Sequence, residues 1–214
     1  KEDPKVLRRG WYDVLWRRLL PEEHSDTKLS VLLKNDVTFV TFNYDRSLEQ
    51  ALLTRAQASF QRDNKNCPEI VSQLRIIHVH GQLGRLPWQK RIGRLAELSE
   101  RPYAPKLDVG ELVSCASIKV VSETNRDTKE YIEAREYLAR AKRIHFLGFG
   151  YDEENLSRLK FGFGSAMVGR ITGTHKGISG PRRERLERDG GALQMPITLR
   201  GMPEDVDGYA RAVI

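Results

Sequence analysis

Three polar residues stand directly behind apolar runs, where side chains are well placed for chemistry. "FVTFNYD" ends in Asn43, Tyr44 and Asp45, and "LRIIHVHG" ends in His80 and Gly81. An asparagine amide donates and accepts hydrogen bonds at once, which suits holding a sugar hydroxyl or a water. A histidine titrates nearest neutrality of all side chains and is the natural proton acceptor. Gly81 lets a backbone or a substrate come close to it. Each residue also has a plainer reading. Asp45 would cap the helix that "RSLEQALL" predicts, worth about 1 kcal/mol. His80 would make one structural hydrogen bond. His78 lies two residues earlier and so shares the face of His80, and an H-x-H pair can bind metal. No third ligand stands near it in sequence, so no metal is predicted.

These residues need elements to hold them. Apolar runs predict strands over 37–42, 74–79, 118–122, 144–147 and 170–174, with "LQMPITL" as a last, edge strand because of Pro196. Helical spacing predicts helices over 6–20 and 127–141, a short helical stretch in "DTKLSVLLKN", and another helix behind Gly150 that opens on Asp152, Glu153 and Glu154. Alternating strands and helices imply an α/β domain with a mostly parallel sheet. Such sheets bind ligands at the carboxyl ends of their strands. That rule adds Gly148-Phe149-Gly150 and "GTHKG" at 173–177 to the residues of interest. The expected organisation is an N-terminal helical segment over 1–36, an α/β domain over 37–180, and a C-terminal part of the same domain over 181–214. The proline-dotted stretch 84–113 reads as an insertion or lid.

Composition narrows the classes. The chain has 214 residues, a length that suits one large domain. No apolar run approaches the roughly 20 residues that span a bilayer, and no signal-peptide pattern opens the chain. Cys67 and Cys115 lie far apart and outside any C-x-x-C, so a zinc ribbon is not expected and a reduced, cytoplasmic setting is. The net charge of +7 would favour an anionic partner. Its basic residues are interleaved with acids in "GPRRERLERDGG" and "WQKRIGRLAELSER", which favours solvated helix faces over a nucleic-acid stripe. G-x-S-x-G, H-E-x-x-H and the Walker phosphate loop are all missing.

The order of the pieces carries a resemblance. "TFNYD" runs into a helix with Leu48-Glu49; "HVHG", "KVVSE", "EYIEAREYLARA" and "RIHFLGFGY" follow. This resembles the sirtuin-like superfamily of NAD-binding domains, in its bacterial branch that hydrolyses NAD. "TFNYD" is similar to that family's T-Q-N-[IV]-D, "HG" to its catalytic histidine motif, and "LGFGY" to its G-T-S segment; "GTHKG" is a looser match to a later nucleotide-side loop. The resemblance implies a Rossmann-like three-layer fold and cleavage of NAD to nicotinamide and ADP-ribose. It implies that Asn43 orients the nicotinamide ribose or the attacking water and that His80 is the general base. It sets Thr41, Asp45, Gly81, Gly148, Gly150 and Tyr151 against NAD as substrate, with no metal. It further implies a role in anti-phage defence, as a homo-oligomer or within a larger assembly. The alternative is a non-catalytic NAD- or ADP-ribose-binding or scaffold module.

Three departures qualify the likeness. Phe42 replaces the usual glutamine. The four-cysteine zinc module is missing, which disfavours protein deacylation. The family's glycine-rich phosphate loop should precede "TFNYD", yet Gly10 is the sole glycine there. Either that loop lies outside this chain, which also begins without Met, or the pyrophosphate is held differently.

Overall fold

A computed structural model describes residues 11–20, 28–103, 128–159 and 171–200. The chain divides into two compact units, Lys1–Asn125 and Arg126–Ile214.

In the first unit, α1 (Trp11–Leu19) buries Leu15, Trp16 and Leu19 and leaves Arg17 and Arg18 in solvent, as its helical spacing predicts. The carbonyls at its end need donors, and the Asn35 amide supplies one to the Leu19 carbonyl at 2.7 Å. A 3-10 helix, Leu29–Lys34, leads to β1 (Thr38–Thr41). Then come α2 (Ser47–Ser59), a 3-10 turn, α3 (Cys67–Ser72) and β2 (Arg75–His78). The two strands pair in parallel, Thr38 with Arg75 through Thr41 with His78. The core forms where α1, α2 and α3 meet, around Trp16, Leu32, Leu52, Ala56 and Val71. α2 is the central element. Leu52, Leu53 and Ala56 are buried, and so are the polar Glu49 and Arg55. Buried charges need partners. Arg55 finds Asp13 of α1 at 2.7 Å.

Residues 84–103 follow as a loop with a 3-10 turn at Gly93–Glu97. Its two limbs close on each other. Arg85 and Arg101 exchange backbone bonds with Ser99 and Arg85, and the Arg85 side chain pairs with Glu100 at 2.6 Å. The remainder of the predicted insertion, and the strand predicted over 118–122, lie outside the described residues.

The second unit runs α4 (Lys129–Arg140), β3 (Ile144–Phe146), α5 (Glu153–Leu159), β4 (Ile171–Gly173), α6 (Gly180–Asp189) and β5 (Thr198–Leu199). The strands pair in the order β3-β4-β5, all parallel. β5 follows Pro196 and pairs, among the described residues, on one side, as the proline requires. Thr128 caps α4 by accepting from the Tyr131 N–H. Gly190 ends α6 with a left-handed φ of 71°, the conformation that glycine adopts at no steric cost. Both units are thus mixed α/β with parallel pairing throughout the described strands. β1 to β4 are one or two residues shorter than the apolar runs, because hydrogen-bonded pairing stops before the apolar side chains do, and β5 keeps only the last two residues of "LQMPITL".

One contact in this unit is tight enough to test. A Cβ at Gly173 would run into the buried Tyr151 hydroxyl, whereas a Cβ at Gly180 would meet open space. Gly173→Ala is expected to lower the unfolding free energy by about 1–3 kcal/mol through overpacking. Gly180→Ala should cost nothing. Chemical denaturation of both variants checks this; equal midpoints would contradict the packing described.

Candidate functional site

The register of β1 and β2 governs what meets at their carboxyl ends. Thr41 pairs with His78, and Asn43 and His80 each stand two residues further on. The pairing does not stop at the strand ends. The Val79 N–H donates to the Thr41 carbonyl at 3.1 Å, and the Leu83 N–H to the Tyr44 carbonyl at 3.0 Å. Positions 43 and 80 therefore lie on neighbouring segments, bracketed by two backbone bonds that tie those segments together.

Beneath them sits a buried polar chain. His78 Nε2 lies 2.7 Å from Glu49 Oε1, and His78 Nδ1 lies 2.8 Å from the Asn43 carbonyl oxygen. Both side chains are 4% exposed as residues. A carbonyl oxygen only accepts, so Nδ1 carries hydrogen and donates. A single proton then lies between Nε2 and Oε1. The chain connects the first turn of α2, the end of β2 and the turn after β1. The second Glu49 oxygen is buried and has no partner among the described residues.

Glu49 is the residue that sequence reading passed over, though a signal was present. It shares the i, i+3, i+4, i+7 stripe of α2 with Leu52, Leu53 and Ala56, all buried. An acid on an apolar stripe requires a partner. His78, read as a twin of His80, has another task. β2 ends at His78 and Val79-His80 form a turn, so the two-residue alternation stops before His80. Both His78 ring nitrogens are engaged. Among the described residues no three His, Cys, Asp or Glu side chains could hold a metal ion together.

The other predicted residues of this unit fall close by. Asn43 is exposed; its N–H donates to Thr41 Oγ1 at 3.1 Å. Its side chain makes no hydrogen bond to a described residue. Asp45 accepts from the Ser47 N–H at 2.8 Å, which satisfies the first N–H of α2 from one residue before the cap; the N-cap position itself falls on Arg46, whose side chain makes no cap bond. His80 is 7% exposed, and its ring meets Phe42 edge-on with centroids 5.4 Å apart. Gly81 has a φ of 78°, and its N–H returns to the His78 carbonyl.

The start of α2 is also covered from later in the chain. Arg46, 4% exposed, donates to the carbonyls of Arg101 and Pro102 at 2.7 and 3.1 Å, and Ser47 meets the Tyr103 hydroxyl at 3.3 Å. Partners more than fifty residues away leave no local trace in sequence.

Gly148, Gly150 and Tyr151 belong to the second unit, behind β3. The Gly148 N–H donates to Thr174 Oγ1 at 3.0 Å, joining the loops that follow β3 and β4. Tyr151 has a φ of 52°, unusual for a residue with a side chain. Its ring is fully buried against Phe146 and Phe149, and its carbonyl accepts from Arg182 at 2.6 Å. Gly150 is exposed. Asp152 accepts from the N–H groups of Glu154 and Asn155, so its own carboxylate occupies the start of α5. In the "GTHKG" loop, Thr174 and His175 are buried and Lys176 is exposed.

A cavity of about 230 Å³ opens at the opposite, amino ends of β1 and β2, beside Lys34, Asp36, Val37, Gln73 and Arg75. It is small and polar, and none of the strand-end residues lines it. No described helix is long and apolar enough to cross a membrane. No family model matches this chain, and no curated protein or solved structure matches it.

Tyr12 of α1 also belongs to this neighbourhood. Burial, with Asp45, Tyr103 and Glu49 close by, pushes its hydroxyl up from 10.0 to about 12. The folded state therefore holds that proton longer than the unfolded chain does. The contribution is complete below pH 10.0 and lost as pH rises to about 12. Over that window wild type should lose stability more steeply than Tyr12→Phe. Denaturant midpoints measured across the window check this, and parallel curves would contradict it.

Proposed function

We propose that this chain is a sirtuin-like NAD hydrolase that cleaves the bond between nicotinamide and ribose. The reaction consumes one NAD and one water and releases nicotinamide, ADP-ribose and a proton. The pyridine is cationic in NAD and leaves as neutral nicotinamide, taking the bonding pair. The departing bond needs little acid help, and the ribose passes through an oxocarbenium-like state, as in other glycoside cleavages. The protein's task is to orient the ribose and a water and to accept the water's proton. Asn43 orients; His80 accepts.

One observation carries this reading: parallel pairing of Thr41 with His78 brings residues 43 and 80 out on neighbouring segments at the carboxyl ends of two strands. That is the end at which open parallel sheets take their ligands. The exposed Asn43 amide, without a partner among the described residues, supports it further. In the same reading Thr41, Asp45 and Gly81 border the nucleotide. Consumption of NAD would suit a defence role, in which cofactor loss halts growth.

The burial of His80 against Phe42 favours a second reading, in which the chain binds NAD or ADP-ribose without turnover. Nicotinamide release by the whole protein separates the two. His80→Ala and Asn43→Ala are each expected to lower that release by about 10²–10⁴-fold, the range of positioned acid–base help, with the fold retained by circular dichroism. Equal rates in wild type and both variants would refute the assignment.

A further inference from the structure

We infer that Glu49 and His78 are positioning residues for this chemistry: through the Asn43 carbonyl they fix the backbone from which the Asn43 amide projects. The inference rests on the NAD-hydrolase reading and adds two residues to it.

Asn43 has the features of a presented group. Its backbone is held on both sides. The carbonyl accepts from His78 Nδ1 at 2.8 Å, and the N–H donates to Thr41 Oγ1 at 3.1 Å. Its side chain is left exposed and without a partner among the described residues. A residue that served only the turn would have no need of two anchors from two strands. The anchor on the carbonyl is itself anchored, since Glu49 sets the His78 ring through Nε2 at 2.7 Å. A carboxylate that orients an imidazole by its far nitrogen is a recurrent way of fixing ring orientation at sites where a small displacement is costly. Stability alone gives little reason for such a pair. Replacing a buried ion pair by apolar residues of similar volume is often neutral or stabilising. Two buried polar groups on an otherwise apolar helix stripe and strand are better accounted for by the position they impose on Asn43.

Reach, rather than charge, is then what Glu49 must supply. Glu49→Gln retains the reach: its amide can donate to Nε2 while Nδ1–H still donates to the Asn43 carbonyl. Glu49→Asp retains the charge but is one methylene shorter. The experiment measures nicotinamide release from NAD by the whole protein, with thermal melts of each variant. Glu49→Asp is expected to lower kcat by about 10²-fold, the loss typical of a misplacement of about 1 Å, with KM near wild type. Glu49→Gln is expected to keep kcat and the wild-type pH profile. Thr41→Val, which removes the other anchor at nearly constant volume, should reproduce the fall in kcat, and it covers the case in which the aspartate variant fails to fold. A folded Glu49→Asp or Thr41→Val with wild-type kcat overturns the inference. So does a folded Glu49→Gln that loses as much as the aspartate variant, since the carboxylate charge would then be at work. Wild type that releases no nicotinamide overturns the hydrolase reading itself, and that failure appears before any variant is compared.

Discussion

The hydrogen bond between Glu49 and His78 is the constraint on which the first unit depends. Both groups are buried, 2.7 Å apart, between the opening turn of α2 and the last residue of β2. Withdrawing such polar groups from water is costly, and removing one partner leaves the other buried without its hydrogen bond. The pair therefore acts against alternatives. A one-residue slip of β2 would carry its side chains to the opposite face and leave Glu49 buried without its imidazole. The observed register is the one that satisfies Glu49. It is also the register that brings positions 43 and 80 out together.

Much of the fold was legible in the sequence, and the reason is periodicity. Apolar runs of strand length and apolar stripes of helical spacing located β1 to β4, α1, α2, α4 and α5 to within a few residues, whereas the short α3 (Cys67–Ser72) went unpredicted. Proline before Thr198 marked an edge, and Asp45 marked a helix start. Less was legible of the site. Asn43, Asp45 and His80 were visible because they break apolar runs. Glu49 was hidden inside a helix whose partner lies 29 residues away, and the Arg46 contacts span 55 and 56 residues. Local patterns do not encode such distances. His78 was misjudged for a specific reason: alternation holds only while a strand lasts, and β2 ends at His78. Glu49 could have been found by asking why an acid shares a stripe with Leu52, Leu53 and Ala56.

The polar groups of the two units divide in a consistent way. At the tips of β1 and β2 the exposed group is an amide, which suits a neutral sugar. Behind β3 the helix start is filled by the protein's own Asp152. An anion placed there would meet an acid. The net charge of +7 raises the local concentration of any dinucleotide irrespective of which side chains hold it.

The central claim is that one bound ribose meets both Asn43 and His80. Nuclear magnetic resonance of the protein, with the Asn43 side-chain amide and the His80 ring assigned, tests it during titration with ADP-ribose. Both signals should move, with one common saturation curve. Signals that stay still at saturation, or that follow two different curves, would contradict a shared sugar site and with it the hydrolase account.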